Sequence, residues 1–128
     1  IISIETLNKL LLKYASECGA INIMPREKTG SSDFSSVAYR IPGACLRIAF
    51  VPLNTPSHSR AWVEAGKTPK AYDAIIICAK ALAASCCDLI YNPELLKQIK
   101  TEFFLEKERI QTSVNYYNIK DIANKPQL

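Results

Sequence analysis

The longest apolar stretch of the chain is PKAYDAIIICAKALAASCCDLIY, residues 69–91. Nearly every position from Ala74 to Cys87 is apolar or small, and Pro69 suits the first turn of a helix that Thr68 can cap. A helix that is apolar most of the way round is normally a buried one. The stretch therefore predicts a long buried helix, whose alanines and cysteines allow close approach to a sheet or to another helix.

The polar residues of this stretch bear on where the protein resides. Asp73, Lys80 and Asp88 interrupt the apolar run, which argues against a membrane span. The five cysteines are odd in number and lack C-x-x-C spacing, and three of them lie in this run, where free cysteine acts as a small hydrophobe. The start IISIETL lacks the features of a signal peptide. We therefore expect a cytoplasmic protein with no membrane partner.

The segments on either side also show helical patterns. The sequence NPELLKQIKTEFFLEKER, residues 92–109, predicts an amphipathic helix that begins at Asn92. The sequence SIETLNKLLLKYASECG, residues 3–19, predicts a first helix capped by Ser3. The expected core positions of these two helices are Ile4, Leu7, Leu10, Leu11, Tyr14, Cys18, Leu95, Leu96, Ile99 and Phe103. The tail, residues 111–128, has only weak patterns and is interpreted as an extended arm.

Strand patterns occupy the middle of the chain. The run ACLRIAFV, residues 44–51, predicts a strand, and AINIM (20–24) and VAYRI (37–41) predict shorter ones. In the longest run both faces are mostly apolar, with Arg47 as the exception, and such strands are usually covered on both sides. The predicted fold class is therefore α/β, with few strands, a long buried helix and a second amphipathic helix. The long helix requires more sheet than this chain supplies.

The charge pattern gives no indication of nucleic-acid binding. Lysine and arginine number 16 against 12 acidic residues, a net charge of +4. The basic residues are scattered and mostly have acidic neighbours, as in EKER, so solvated faces explain them better than a nucleic-acid patch. No nucleic-acid partner is predicted.

The single histidine, His58, lies in the loop sequence NTPSHSR between the strand pattern and the long helix. One interpretation is a surface histidine that bonds to a neighbour. The other is a metal ligand or general base just beyond the end of a strand, where open α/β sheets place their sites. A zinc site needs three or four ligands, so a metal at His58 would require residues from elsewhere.

A second candidate region is TGSSDFSSV, residues 29–37. Gly30 permits an unusual backbone conformation, and Asp33 presents a carboxylate. The alternative is a simple turn in which Asp33 caps its own backbone. No G-x-S-x-G sequence is present, which argues against a serine nucleophile here.

Taken together, these segments resemble one family. GSSDFSSVAYRIPG is similar to the Gly-Ser-x-Asp-Phe/Val-x-x-Val motif, followed by a proline, of the metal-dependent aminoacylase, carboxypeptidase and amidohydrolase family. This zinc peptidase group includes p-aminobenzoyl-glutamate hydrolase and dipeptidase-like amidohydrolases. Residues 56–103 resemble the closing segment of that family, in which a His-Ser loop leads into an alanine-rich helix and then into a helix similar to NPELL. The resemblance covers residues 3–104.

The resemblance implies a place for this chain within a larger domain. The catalytic domain of the family is a zinc-peptidase α/β fold, interrupted by a lid domain that often mediates dimerisation. This chain resembles the part after the lid, so residues 1–128 form one partial domain. The N-terminal catalytic part and the lid domain would then be its partners, and a homodimer is an expected assembly.

The resemblance also implies roles for individual residues. His58 matches the late histidine that binds one of two divalent metal ions, taken as zinc, and it is the single metal ligand in this chain. Asp33, with Gly30, matches a loop near the active site. The remaining ligands and the catalytic glutamate belong to the missing part.

The implied function is hydrolysis of amide or peptide bonds in small N-acyl amino acids or dipeptides, with this segment inactive alone. The alternative is a non-catalytic remnant or protein-interaction module of the same fold. A third interpretation is an unrelated small α/β domain that binds a partner through an apolar face. On the first interpretation the chain should expose a large apolar surface where the missing part packs.

Overall fold

The computed structural model describes residues 2–21 and 32–123, and among these residues every regular element is helical. The helices are α1 (Glu5–Glu17), α2 (Phe34–Ala38), α3 (Arg60–Ala65), α4 (Pro69–Tyr91) and α5 (Pro93–Ala123). The described residues contain no strand, so the predicted α/β class, with its few strands, is wrong.

The reason lies in the segment 42–50, which runs without regular secondary structure. Its side chains still alternate as predicted for a strand, because Leu46, Ile48 and Phe50 are half-buried whereas Cys45 and Arg47 are exposed. A strand is completed by hydrogen bonds to a neighbouring strand, and none is present among the described residues. The alternation matches the predicted strand, but the expectation that both faces are covered is wrong for the described residues, because Cys45 and Ala49 are exposed. Alternation alone does not make a sheet.

The two shorter strand predictions have different outcomes. In VAYRI, Val37 and Ala38 lie in α2 and Tyr39 is its C-terminal cap, so a strand there is wrong. Of AINIM, only Ala20 and Ile21 fall within the described residues, and neither is in a strand.

The long helix α4 begins at Pro69, with Thr68 at the capping position as predicted, but it is buried on one side only. Its buried side carries small residues, namely Ala71, Ala74, Ala81 and Ser85. The rest of its surface exposes larger residues, namely Tyr72, Ile75, Ile76, Leu82 and Ile90, which we call the apolar face of α4. The prediction of a helix buried all round is therefore wrong for the described chain, while the predicted exposed apolar surface is confirmed.

The apolar composition of α4 also bears on whether this helix could cross a membrane. By length and mean hydropathy, α4 is long and apolar enough to cross a membrane, as the core helix of a soluble protein also can be. The charged groups of Asp73, Lys80 and Asp88 interrupt it, as noted for the sequence. The absence of a membrane partner stays a prediction.

Helix α1 packs along the small-residue side of α4. It buries Leu10, Leu11 and Ala15, which are positions of the predicted stripe or its immediate neighbours. Near the C-terminal ends of both helices, the Tyr14 hydroxyl donates a hydrogen bond to Asp88 Oδ2 at 2.6 Å. This bond to the Asp88 carboxylate is the main reason that the pKa of the Tyr14 phenol is raised. The contact fixes the register between the two helices.

A second apolar cluster joins the N-terminal segment to α5. Ile2 and Ile4 pack with Ile99 and Phe103, and all four are almost fully buried. The predicted core stripe of the amphipathic helix is therefore confirmed at its last two positions, Ile99 and Phe103. Residues 111–123, the first part of the stretch interpreted as an extended arm, continue α5.

The N-terminus of α1 is capped by a residue distant in sequence. Both carboxylate oxygens of Glu102, on α5, accept hydrogen bonds, one from the Glu5 amide and one from the Thr6 amide (3.2 Å). The predicted cap, Ser3, instead accepts a hydrogen bond from the Asn8 side chain at 3.1 Å. A negative charge is favourable at this end of a helix because the free N–H groups carry partial positive charge.

We expect Glu102→Ala to lower the free energy of unfolding by about 1–2 kcal/mol, because two helix N–H groups lose their acceptor. Glu102→Gln keeps one acceptor oxygen and should lose about half as much. Urea unfolding followed by circular dichroism measures both values. Equal stability of Glu102→Ala and the wild type would show that this cap contributes nothing.

Candidate functional site

The loop that carries His58 joins the segment 42–50 to α3. His58 is exposed and has a backbone φ of +59°, and Asn54 has a φ of +65°. Left-handed backbone conformations are uncommon outside glycine and, when they occur, often mark sites where the chain presents a side chain for function. The sequence placed His58 in a loop correctly but gave no indication of this backbone conformation, since histidine adopts it only occasionally.

The aromatic side chain of Trp62 holds this loop. Trp62 lies on α3, and its ring packs edge-on against Phe50 with centroids 5.1 Å apart. Its indole Nε1–H donates a hydrogen bond to the Thr55 carbonyl at 3.4 Å. The Thr55 hydroxyl in turn donates to the Pro52 carbonyl at 2.7 Å. Trp62 thus contacts the chain before the loop and within it.

A shallow groove of about 750 Å³ lies beside His58. In the groove the Arg60 guanidinium pairs with Glu64 at 3.2 Å, and the buried Ser59 hydroxyl oxygen has no hydrogen-bond partner among the described residues. The groove is lined by His58, Ser59, Arg60, Trp62, Val63, Glu64 and Lys67. It therefore combines an imidazole with both cationic and anionic side chains.

A metal would need more donors than this part of the chain offers. Within residues 2–21 and 32–123, no three His, Cys, Asp or Glu side chains are close enough to hold an ion. A zinc centre takes three or four ligands, so His58 can serve only as one of them. An exposed imidazole on a held loop fits that single role, and the metal assignment of His58 stays a prediction.

The second predicted region does not join His58. Asp33 lies at the start of α2, and its side chain makes no capping hydrogen bond. It is also absent from the residues that line the groove. Gly30 lies outside the described residues. The role predicted for these two residues in an active-site loop stays a prediction.

A larger groove, about 800 Å³, lies between the start of α1 and α5. It contains the ion pair of Lys9 with Glu5, 2.7 Å apart, and the capping carboxylate of Glu102. Both features stabilise α1, so we assign this groove a structural role.

Comparison with known proteins gives two relatives. Over 108 residues, 84% of the chain, the sequence is 32% identical to a Homo sapiens protein named Xaa-Arg dipeptidase, and the match covers 23% of that protein. The Mus musculus Xaa-Arg dipeptidase is 29% identical over 99 residues, which are 77% of this chain and 22% of that protein. The chain thus spans less than a quarter of the length of these relatives. No family model matches the chain, and no solved structure matches it.

Proposed function

Because the chain belongs to the family of metal-dependent amidohydrolases and peptidases, we propose that it forms the C-terminal segment of a hydrolase catalytic domain. The complete protein would cleave amide or peptide bonds of small N-acyl amino acids or dipeptides. The segment alone would be inactive. Zinc as the metal, a cytoplasmic location and a homodimer formed through a lid domain belong to the same proposal.

The single observation that carries this proposal is the match to dipeptidases several times longer than the chain. The described residues hold no group of three His, Cys, Asp or Glu side chains that could bind a metal ion, so the remaining ligands would come from another part of the protein. The only histidine, held on a left-handed backbone in an exposed loop, suits a ligand that completes a site built elsewhere.

In such a site the metal would activate a water molecule and polarise the scissile carbonyl. This chain would supply the His58 imidazole from the exposed loop. The groove beside His58 would lie next to the bound substrate, and Lys67, which lines it, would favour an anionic substrate group.

The apolar face of α4 and the segment 42–50 are the surfaces through which this segment would join the rest of the domain. The apolar face exposes Tyr72, Ile75 and Ile76 next to one another on the helix. The segment 42–50 has no regular secondary structure, and its backbone joins no strand among the described residues. The missing N-terminal part would cover both surfaces, because an exposed apolar helix face is stabilised when another element packs against it.

We expect Ile75→Glu to weaken association with the N-terminal part at least tenfold, because a carboxylate would be buried in the apolar contact. Leu105→Glu is the matched control, since Ile75 and Leu105 are both 62% exposed but only Ile75 lies on the apolar face of α4. Co-purification of the two parts, followed by assay of dipeptide hydrolysis with added zinc, measures the effect. Equal loss in both variants would contradict docking through α4.

The size of the native product decides between the proposal and its alternative. A product several times longer than this chain, with metal-dependent hydrolysis, is the expected result. A native product of this length that is indifferent to His58 replacement would instead indicate a non-catalytic remnant or interaction module.

A further inference from the structure

The loop between Phe50 and α3 adopts a conformation that must be held in place. Two of its residues, Asn54 and His58, have left-handed backbones. Such conformations cost free energy and persist only where neighbouring contacts fix them. A loop that presents a ligand therefore needs an anchor outside itself.

Trp62 contacts the loop at its start and in its middle, from the helix that follows the loop. It lies four positions after His58, on the helix that begins immediately beyond the loop. Its ring meets Phe50, the residue just before the loop, with centroids 5.1 Å apart. Its indole N–H reaches the carbonyl of Thr55, in the middle of the loop, at 3.4 Å. One side chain thus joins the start, the middle and the end of the loop.

Thr55, whose carbonyl accepts the indole hydrogen bond, is itself hydrogen-bonded to the first turn of the loop. The Thr55 amide and hydroxyl both donate to the Pro52 carbonyl, at 3.2 Å and 2.7 Å. The Thr55 carbonyl that accepts the indole bond is therefore already fixed by its own turn. Because this turn is tied to α3 through Trp62, the three residues between Thr55 and Ser59 are held at both ends.

We infer that Trp62 is a positioning residue that holds the His58 imidazole for metal binding. This inference rests on the proposed function, in which His58 is a metal ligand. Trp62 touches no metal in this scheme and acts only through the loop. Groups that hydrogen-bond directly to a metal-binding histidine typically contribute 10–100-fold to metal affinity, and Trp62, which acts through the backbone of the loop, should contribute at the lower end of that range.

Two substitutions separate the contacts of Trp62. Trp62→Phe keeps an aromatic ring against Phe50 but removes the N–H donor, and Trp62→Leu removes both. Leu53→Ala is the control, because Leu53 is 82% exposed in the same loop and is not among the described residues that line the groove. In the complete native protein, we expect the dissociation constant for zinc to rise about tenfold or more in Trp62→Leu, and less in Trp62→Phe. Leu53→Ala should leave it unchanged.

A second measurement reports on the loop without any metal. The proton resonance of the His58 imidazole is identified as the one that His58→Gly removes. We expect this resonance to be single and sharp in the wild type and in Leu53→Ala, and shifted or broadened in Trp62→Leu. Trp62→Phe should fall between them, because it retains one of the two contacts.

The outcomes separate the inference from the function on which it rests. If His58→Gly abolishes zinc binding but neither Trp62 variant changes zinc affinity or the imidazole resonance, the positioning role is overturned and the function stands. If His58→Gly leaves zinc binding intact, the proposed function fails. A Trp62-dependent resonance would then show that the loop is anchored as inferred but serves no metal.

Discussion

His58→Gly is expected to lower metal-dependent hydrolysis by the complete protein by at least about 100-fold. Loss of a residue that merely supports a metal ligand costs about 10–100-fold, and loss of the ligand itself should cost more. Glycine is the appropriate replacement because His58 has a φ of +59°, which glycine adopts without strain. The loss can then be attributed to the imidazole rather than to the backbone. The measurement is the rate of dipeptide hydrolysis, together with the zinc content of the purified protein.

Asn54→Gly provides the matched control for this experiment. Asn54 has a φ of +65°, so the change introduces the same residue into the same kind of backbone in the same loop. It removes no imidazole, and activity should stay within about twofold of the wild type because the backbone conformation is preserved. If His58→Gly and Asn54→Gly retain similar activity and zinc content, His58 is not a metal ligand.

The largest expected effect on stability is that of Phe103→Ala. The Phe103 side chain is 1% exposed and packs with Ile2, Ile4 and Ile99. Truncation of a buried phenylalanine to alanine typically costs about 3–5 kcal/mol, through lost burial and the cavity that remains. Domains of this kind have total stabilities of about 5–15 kcal/mol. We therefore expect a large fall in the urea midpoint, measured by circular dichroism.

The neighbouring residue supplies the control for this substitution. Phe104 is 64% exposed and meets the Phe103 ring edge-on at 5.4 Å. Phe104→Ala loses the same side chain from the same helix, but only about 1 kcal/mol at most, since little burial is lost. Similar midpoints for the two variants would show that the cluster around Phe103 does not hold α5 to the N-terminal segment.

The helices could be predicted from sequence because their determinants are local. The limits of α4 follow from Thr68 and Pro69 at its start, and the burial of Ile99 and Phe103 follows from their helical spacing. The strand prediction failed because a strand has a determinant that is not local. Residues 42–50 alternate as a strand would, but a strand also requires hydrogen bonds to a neighbouring strand, which local pattern cannot supply.

The candidate site likewise has some features that local sequence predicts and others that it does not. The position of His58 in an exposed loop could be predicted from the Pro/Ser/Thr-rich sequence around it. Its left-handed backbone and the contacts of Trp62 with Phe50 and Thr55 could not, because they depend on how α3 packs against the preceding segment. The capping of α1 by Glu102 was missed for the same reason, and the nearby Ser3 was predicted instead.

The hydrogen bonds between the start of α1 and Glu102 affect the order in which contacts can form while the chain is being synthesised. Glu5 leaves the ribosome before Glu102, which follows 97 residues later, and the apolar partners of Ile2 and Ile4 also lie on α5. The first helix therefore lacks its cap and its partners on α5 until α5 has emerged. Contacts so distant in sequence form late and slowly. The docking of α1 should accordingly be a late step in the folding of this segment.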